Sequence, residues 1–340
     1  MQQASAQGAV QNGKRADAIA PINVREKGHG KPNGKVQPDK NVIPAGGVSA
    51  VAEVQQGADL LAFTNQTVDR NSKVTALIRE LEQIEPALAY DPRVRFPLAV
   101  ANRQQGLPRN GEKFYLALKH NRPADAWRAC AEAELWLAEQ KVQSPKPVWY
   151  CTHTPNKPRL DGQLEEAFWR SGNVVELKSP QREDADWGSS AMLAYDDEFL
   201  YLAVRCTKVA SGNYSTSDAP RPRDADLSDH DRVELLLDID RDFATYYRLT
   251  IDHRGWTAEN CWHDVTWNPD WFVAAGGDDT SWTVEAAIPL AQLTGQPPVA
   301  KSTWSVGMQR IVPGTGFQSW NTPAEPEVIP EGFGYLMFQP

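Results

Sequence analysis

The sequence predicts a mainly β protein: an antiparallel β-sandwich of immunoglobulin-like architecture, preceded by a small α-helical region and a disordered N-terminal arm. Three observations predict it. After about residue 158 the apolar residues alternate with period two, in short runs bounded by turn residues. Between 66 and 143 the apolar spacing is helical, and before residue 63 there is no aromatic residue at all. The boundaries that follow are an arm over 1–65, a helical region over 66–143, a linker over 144–157 and a sandwich over 158–340.

The arm is rich in Gly, Ala, Gln and Asn, with scattered prolines, and has too little apolar surface to offset the entropy of ordering. In the helical region Asp69, Asn71 and Ser72 are cap candidates for a helix carrying Val74, Leu77, Ile78, Leu81 and Ile84 on one face. Pro86 and the string YDPRVRFP end it. A second helix is expected over 124–140, with Trp127, Ala131, Leu135 and Ala138 along one side. Between them Phe114, Leu116 and Leu118 fit either a strand or a short helix. The apolar faces of these helices need a partner, either the sandwich or a domain outside this chain. Pro145, Pro147, Pro155 and Pro158 punctuate the linker.

Strands are expected over 174–177, 191–195, 199–205, 233–238, 246–251, 282–288, 304–311 and 335–338. Leu200, Leu202 and Val204 face one way, as do Val233, Leu235 and Leu237. Asp196-Asp197, Arg254-Gly255, Gly276-Gly277 and Pro313-Gly314 supply the turns.

Bulk composition narrows the function classes. A net charge of −9 with no basic stripe gives no footprint for nucleic acid. No run of about 18 apolar residues suggests a membrane span. The start shows no charged segment followed by an apolar one, so no signal peptide is visible. Four cysteines, Cys130, Cys151, Cys206 and Cys261, permit disulfides without demanding them and form no metal-ligand spacing. Of twelve tryptophans ten follow residue 148, enough to build a core and leave rings for a surface. No nucleophile elbow, P-loop, zinc-protease or dinucleotide fingerprint occurs.

Several strings taken in order carry a resemblance. They are RLDGQLEEAFW, LAYDDEFLYLAVRC, DHDRVELLLD, YYRLTID, WNPDW, SWTVEAAIPL and the closing FGYLMF. Together they resemble the family 9 carbohydrate-binding modules within the DOMON-like superfamily, over residues 156–340. The resemblance implies a non-catalytic sandwich that grips the end of a glycan between two aromatic rings. By the same resemblance Glu234 of the D-x-V-E strand and Arg248 of the next strand face the sugar. The alternative role for that pair is a structural ion pair on a sheet face. The family's two slot aromatics fall here at Leu227–Ser228 and near Glu327, none of them aromatic. Trp256, Trp262 and Trp320 are therefore the replacement candidates, while Trp267 and Trp271 read as core. Trp169 is expected to plug one end of the sandwich.

The resemblance also implies a bacterial, extracellular or periplasmic setting, attachment to a polysaccharide-degrading catalytic domain, and structural calcium. Asp224, Asp226 and Asp229 could supply oxygen ligands for that ion, although a solvated acidic loop explains them as well. Glu234 and Glu285 could form a glycosidase pair, but Glu285 sits in a string that reads as structural. A sugar-inactive interaction module on the same fold is the second functional class. A haem-binding DOMON domain is the third, drawing on Met192, Met308, His230 or His253. Met308 reads more simply as a strand core residue.

Overall fold

The computed structural model describes residues 70–181, 186–216 and 220–340. The expected arm over 1–65 lies outside them. Five helices come first: α1 (70–84), α2 (Pro86–Ala89), α3 (Pro92–Gln104), α4 (Pro108–Asn121) and α5 (Ala126–Glu139). No helix among the described residues is long and apolar enough to cross a membrane.

The helical region is more regular than its sequence suggested. YDPRVRFP does not end the helical run but starts α3: Pro92 occupies its first turn, where no N–H is needed, and the Asp91 side chain accepts from Arg93 N. Pro97 lies inside that helix and costs it one backbone bond. Phe114, Leu116 and Leu118 belong to α4. On α1 only Ile78 of the expected stripe is buried, whereas Leu77 and Ile84 are exposed. Asn71 lies within α1 and spends its side chain on Gln104 Oε1 at 2.6 Å.

The β region contains β1 (Val148–His153), β2 (Val175–Leu177), β3 (Ser189–Tyr195), β4 (Phe199–Thr207), β5 (Arg232–Asp238), β6 (Tyr247–Asp252), β7 (Thr257–Cys261), β8 (Phe272–Gly277), β9 (Ser281–Pro289), β10 (Thr303–Val312), β11 (Gly316–Ser319) and β12 (Gly334–Gln339). Two short helices, α6 (Ala167–Ser171) and α7 (Leu290–Leu293), interrupt them. All eight expected strands are present. The four others, β1, β7, β8 and β11, were not expected.

The architecture is a sandwich made by curling one sheet, in the order β7-β6-β5-β10-β12-β1-β3-β4-β9-β8. Residues expected as a linker supply its hinge: β1 pairs in parallel with β12 on one side and with β3 on the other. Alternation of Trp149 and Cys151, both fully buried, is what seats this segment in the sheet despite the flanking prolines. A bridge between Lys178 and Ser319 joins the two halves a second time. The inner faces meet in one core that includes Leu200, Leu202, Val204, Val233, Leu235, Leu237, Val284, Ala286 and Met308.

Both outer faces are partly covered. Phe199, Tyr201 and Ala203 of β4 turn outward and are buried beneath Trp169. Trp169 thus covers a sheet face instead of plugging an end. On the other half Tyr335 and Met337 of β12 turn outward against α3, α4 and α5 through Phe96, Tyr115, Trp127 and Ala131. The sandwich itself is therefore the partner of the helices. Glu134 of α5 ties the layers together, accepting from Arg103 Nη1 at 3.0 Å, Arg241 Nε at 2.8 Å and the Tyr335 hydroxyl at 2.9 Å.

Candidate functional site

On β5, Val233 and Leu235 occupy the core, so Glu234 must point to the outer face. Antiparallel pairing sets Glu234 opposite Thr250 and Leu236 opposite Arg248, which brings Glu234 and Arg248 together on a diagonal. Arg248 Nη2 donates to Glu234 Oε1 at 2.6 Å. From the other side β10 places Gln309 opposite Glu234, and Gln309 Nε2 donates to Glu234 Oε2 at 2.7 Å. Arg232 Nε stands 3.5 Å from Oε1. Glu234 is 1% exposed with both oxygens engaged, while a third of the Arg248 side chain, 33%, remains open. Guanidinium donors thus stay available above an anchored carboxylate.

Three more side chains border the pair. Asn260 of β7 lies opposite Arg248, and its Oδ1 is buried with no hydrogen-bond partner. Tyr246 stands edge-on to Phe333 at 5.7 Å between centroids. Burial pushes its hydroxyl above the usual tyrosine range, with the Arg248, Glu234 and Glu327 charges also acting on it. Trp262 donates its backbone N–H to Tyr246 O at 2.8 Å, carries a positive φ of 53°, and is 49% exposed. Its ring centroid lies 4.1 Å from that of His263. The arrangement offers charge-assisted donors, a carboxylate, an amide and an open indole within one stretch of the β5–β6–β7 surface. That combination suits a polyol with an apolar face.

The other residues singled out from the sequence lie elsewhere. Trp256 sits in the β6–β7 turn, with the Arg254 guanidinium 3.9 Å above its ring. Four residues of β6 separate that turn from Arg248, roughly 13 Å of extended chain. Trp320 packs on the buried Trp149 at 5.5 Å, and its ring is close enough to Gly334 that a Cβ there would fall 2.6 Å away. That packing makes Trp320 a core-edge residue. Leu227 is buried, whereas Ser228 and Glu327 are exposed. Trp271 is buried and Trp267 packs against the core.

Asp224, Asp226 and Asp229 are not drawn into a common ligand set among the described residues. Asp224 faces Arg223 at 3.4 Å, and Asp226 Oδ1 accepts from Ser228 N, which holds its carboxyl below the usual range. Asp231, close by in sequence, is sealed in the sandwich. It receives Arg310 through two guanidinium nitrogens, Trp282 Nε1 at 2.9 Å and the Tyr214 hydroxyl at 2.8 Å. All four cysteines are free thiols, and Met308 lies fully buried in the core.

Glu285 turns outward from β9 on the opposite half of the sandwich. It accepts from Trp169 Nε1 at 3.0 Å, Gly162 N at 2.9 Å and Asp161 N at 3.1 Å. Packed half-sheets are about 10 Å apart, so carboxylates on their two outer faces exceed the roughly 5–9.5 Å separations of glycosidase pairs.

Gln309, Asn260 and Tyr246 were absent from the sequence-derived set. Gln309 was within reach: in TWSVGMQRI it alternates with the core residue Met308, so it must share the outward face with Glu234. Asn260 carried no such signal, because β7 itself was not anticipated.

The family model described as carbohydrate family 9 binding domain-like matches residues 160–316. Over that stretch the chain is similar to carbohydrate family 9 binding domains. The folded unit around this family 9-like domain is larger than the match, since β12 and β1 complete its sheet. A search of curated proteins gave no match. Two structures of a family 9 carbohydrate-binding module from Caldicellulosiruptor kristjanssonii are similar. The one in complex with glucose is 14% identical, covers 57% of this chain and 96% of its own, and has a TM-score of 0.44. The one in complex with cellotriose is 15% identical, covers 57% and 94%, and has a TM-score of 0.43.

Proposed function

We propose that the family 9-like domain binds a glycan without cleaving it, on the outer face formed by β5, β6, β7 and β10. Arg248 and Gln309 address sugar hydroxyls as donors, Glu234 orders both of them, and Asn260 Oδ1 supplies an acceptor. Trp262, with Tyr246 beside it, provides the stacking surface. The observation that carries this reading is the pairing of a sealed Glu234 with a partly open Arg248 next to a half-exposed indole. A carboxylate whose two oxygens are both occupied by neighbouring side chains is suited to holding donors in place and poorly suited to proton transfer.

The same reading makes the protein a recognition component of bacterial polysaccharide breakdown outside the cytoplasm, working beside a catalytic domain. Family analogy alone supports that setting. Affinity electrophoresis of the full chain through gels containing a panel of polysaccharides tests the binding claim. Retardation by at least one polysaccharide is expected; equal mobility in every gel contradicts it.

A further inference from the structure

A second cluster lies at the opposite end of β6 and takes no part in the face just described. His230 lies in the loop just before β5, Asp252 is the last residue of β6 and His253 the first of the turn that follows it. One ligand-capable atom from each of the three lies within 4.8 Å of the others. We propose that His230, His253 and Asp252 form a binding site for a borderline divalent transition cation, Zn2+ being the representative ion.

The hydrogen bonding of His253 argues for a metal. Its Nε2 meets the backbone carbonyl of Ser215 at 3.2 Å. A carbonyl only accepts, so Nε2 carries the proton and Nδ1 of the neutral ring carries the lone pair. That Nδ1 is buried and has no partner, in a residue only 9% exposed. A buried, unused acceptor is costly, and a second one stands nearby: His230 Nδ1 is also buried without a partner. The two rings are 5.6 Å apart between centroids. A donation from the far ring nitrogen to a carbonyl is the usual outer support of a metal-binding imidazole.

The third group is fixed as well. Asp252 Oδ1 accepts from Arg254 N and Trp256 N, and Oδ2 accepts from the Arg254 guanidinium. The carboxylate is thus held in place against the Arg254 guanidinium, so the imidazoles carry most of the bond strength. Backbone bonds from His230 N to Leu227 O and from His253 N to Asp231 O hold both loops. Two nitrogens and one oxygen favour zinc or a neighbouring transition metal over calcium, which takes oxygen ligands only. Zinc–nitrogen bonds of about 2.1 Å require the ligand atoms to draw closer, and the half-buried His230 ring is the one able to turn. Three protein ligands leave the fourth tetrahedral position to water.

Isothermal titration of the full chain with ZnCl2, alongside His230→Ala and His253→Gln, tests the site. One equivalent of Zn2+ is expected to bind the wild type, with at least a tenfold loss of affinity in each variant. Zn2+ should also raise the melting midpoint of the wild type and leave those of both variants unmoved. Metal-free melts of the variants, in which His230→Ala keeps the wild-type midpoint, separate a lost site from a lost fold. No binding heat overturns the proposal, and so does an affinity unchanged by both substitutions, which places the ion elsewhere.

Discussion

Arg248 and Glu234 form an ion pair in which one partner is sealed and the other is open. The 2.6 Å bond between them runs diagonally across β5 and β6, and Gln309 occupies the second oxygen of the same carboxylate from β10. Three strands therefore converge on one buried acceptor, and the donor side of that convergence faces outward.

The openness of Arg248 predicts that it contributes to ligand binding more than to folding. Arg248→Ala removes a charge-assisted donor worth about 1.5–3 kcal/mol, and so should weaken glycan retardation in affinity gels about tenfold to a hundredfold. Gln309 and Arg232 remain beside Glu234, so the melting midpoint should fall by only a few degrees. A variant that binds normally but melts far lower would make the pair structural.

Trp262 should behave as the stacking ring and Trp320 as a packing residue. Trp262→Ala is expected to lower glycan affinity about tenfold, the order of a lost aromatic contact, with little change in stability. Trp320→Ala removes the partner of Trp149 and should cost about 3–5 kcal/mol of stability. Fluorescence titration together with thermal melts checks both. Reversed effects would move the sugar face toward Trp320.

Glu134 is the link between the helices and the sheet. Its replacement by Ala leaves the buried Arg241 guanidinium without its carboxylate, and about 3–5 kcal/mol of stability should be lost. Denaturant unfolding measures it; a loss below about 1 kcal/mol would show that the apolar contacts of Phe96, Trp127 and Tyr335 suffice.

Burial pushes Glu285 up to about 7 from an ordinary 4.5, against the three N–H donors that favour its ionised form. Between those values the folded chain holds a proton that the unfolded chain releases. Stability from this group is therefore fully present below pH 4.5 and lost as pH rises through about 7. The difference in melting midpoint between wild type and Glu285→Gln should shift toward the variant as pH goes from 5 to 8. A difference that stays constant over that range would place the Glu285 pKa outside it.

The sandwich was legible because short apolar runs bounded by turn residues recur along the chain, and counting by twos along β4 and β5 puts Leu200, Leu202 and Val204, and Val233, Leu235 and Leu237, on the faces that meet in the core. The hinge strand β1 was hidden by the prolines on either side of it. Two parallel partners chosen at long range, β12 and β3, decide its state, and no local pattern encodes them. Proline likewise misled at α3, where Pro92 stands in the first turn, whose N–H groups have no partner within the helix. In the site, Glu234 and Gln309 could be placed by counting along their strands. Whether a tryptophan is open or packed depends on what approaches it: Arg254 covers Trp256, Trp149 receives Trp320, and Trp262 remains half-open at a left-handed turn.

The claim that a sugar sits on the β5–β6–β7–β10 face is tested most directly by calorimetric titration of wild type and the Arg248→Ala/Trp262→Ala double variant. The titrant is an oligosaccharide of whichever polysaccharide retards the wild type most. Saturable binding by the wild type and none by a still-folded double variant is the predicted result. Equal dissociation constants for the two proteins would contradict the account.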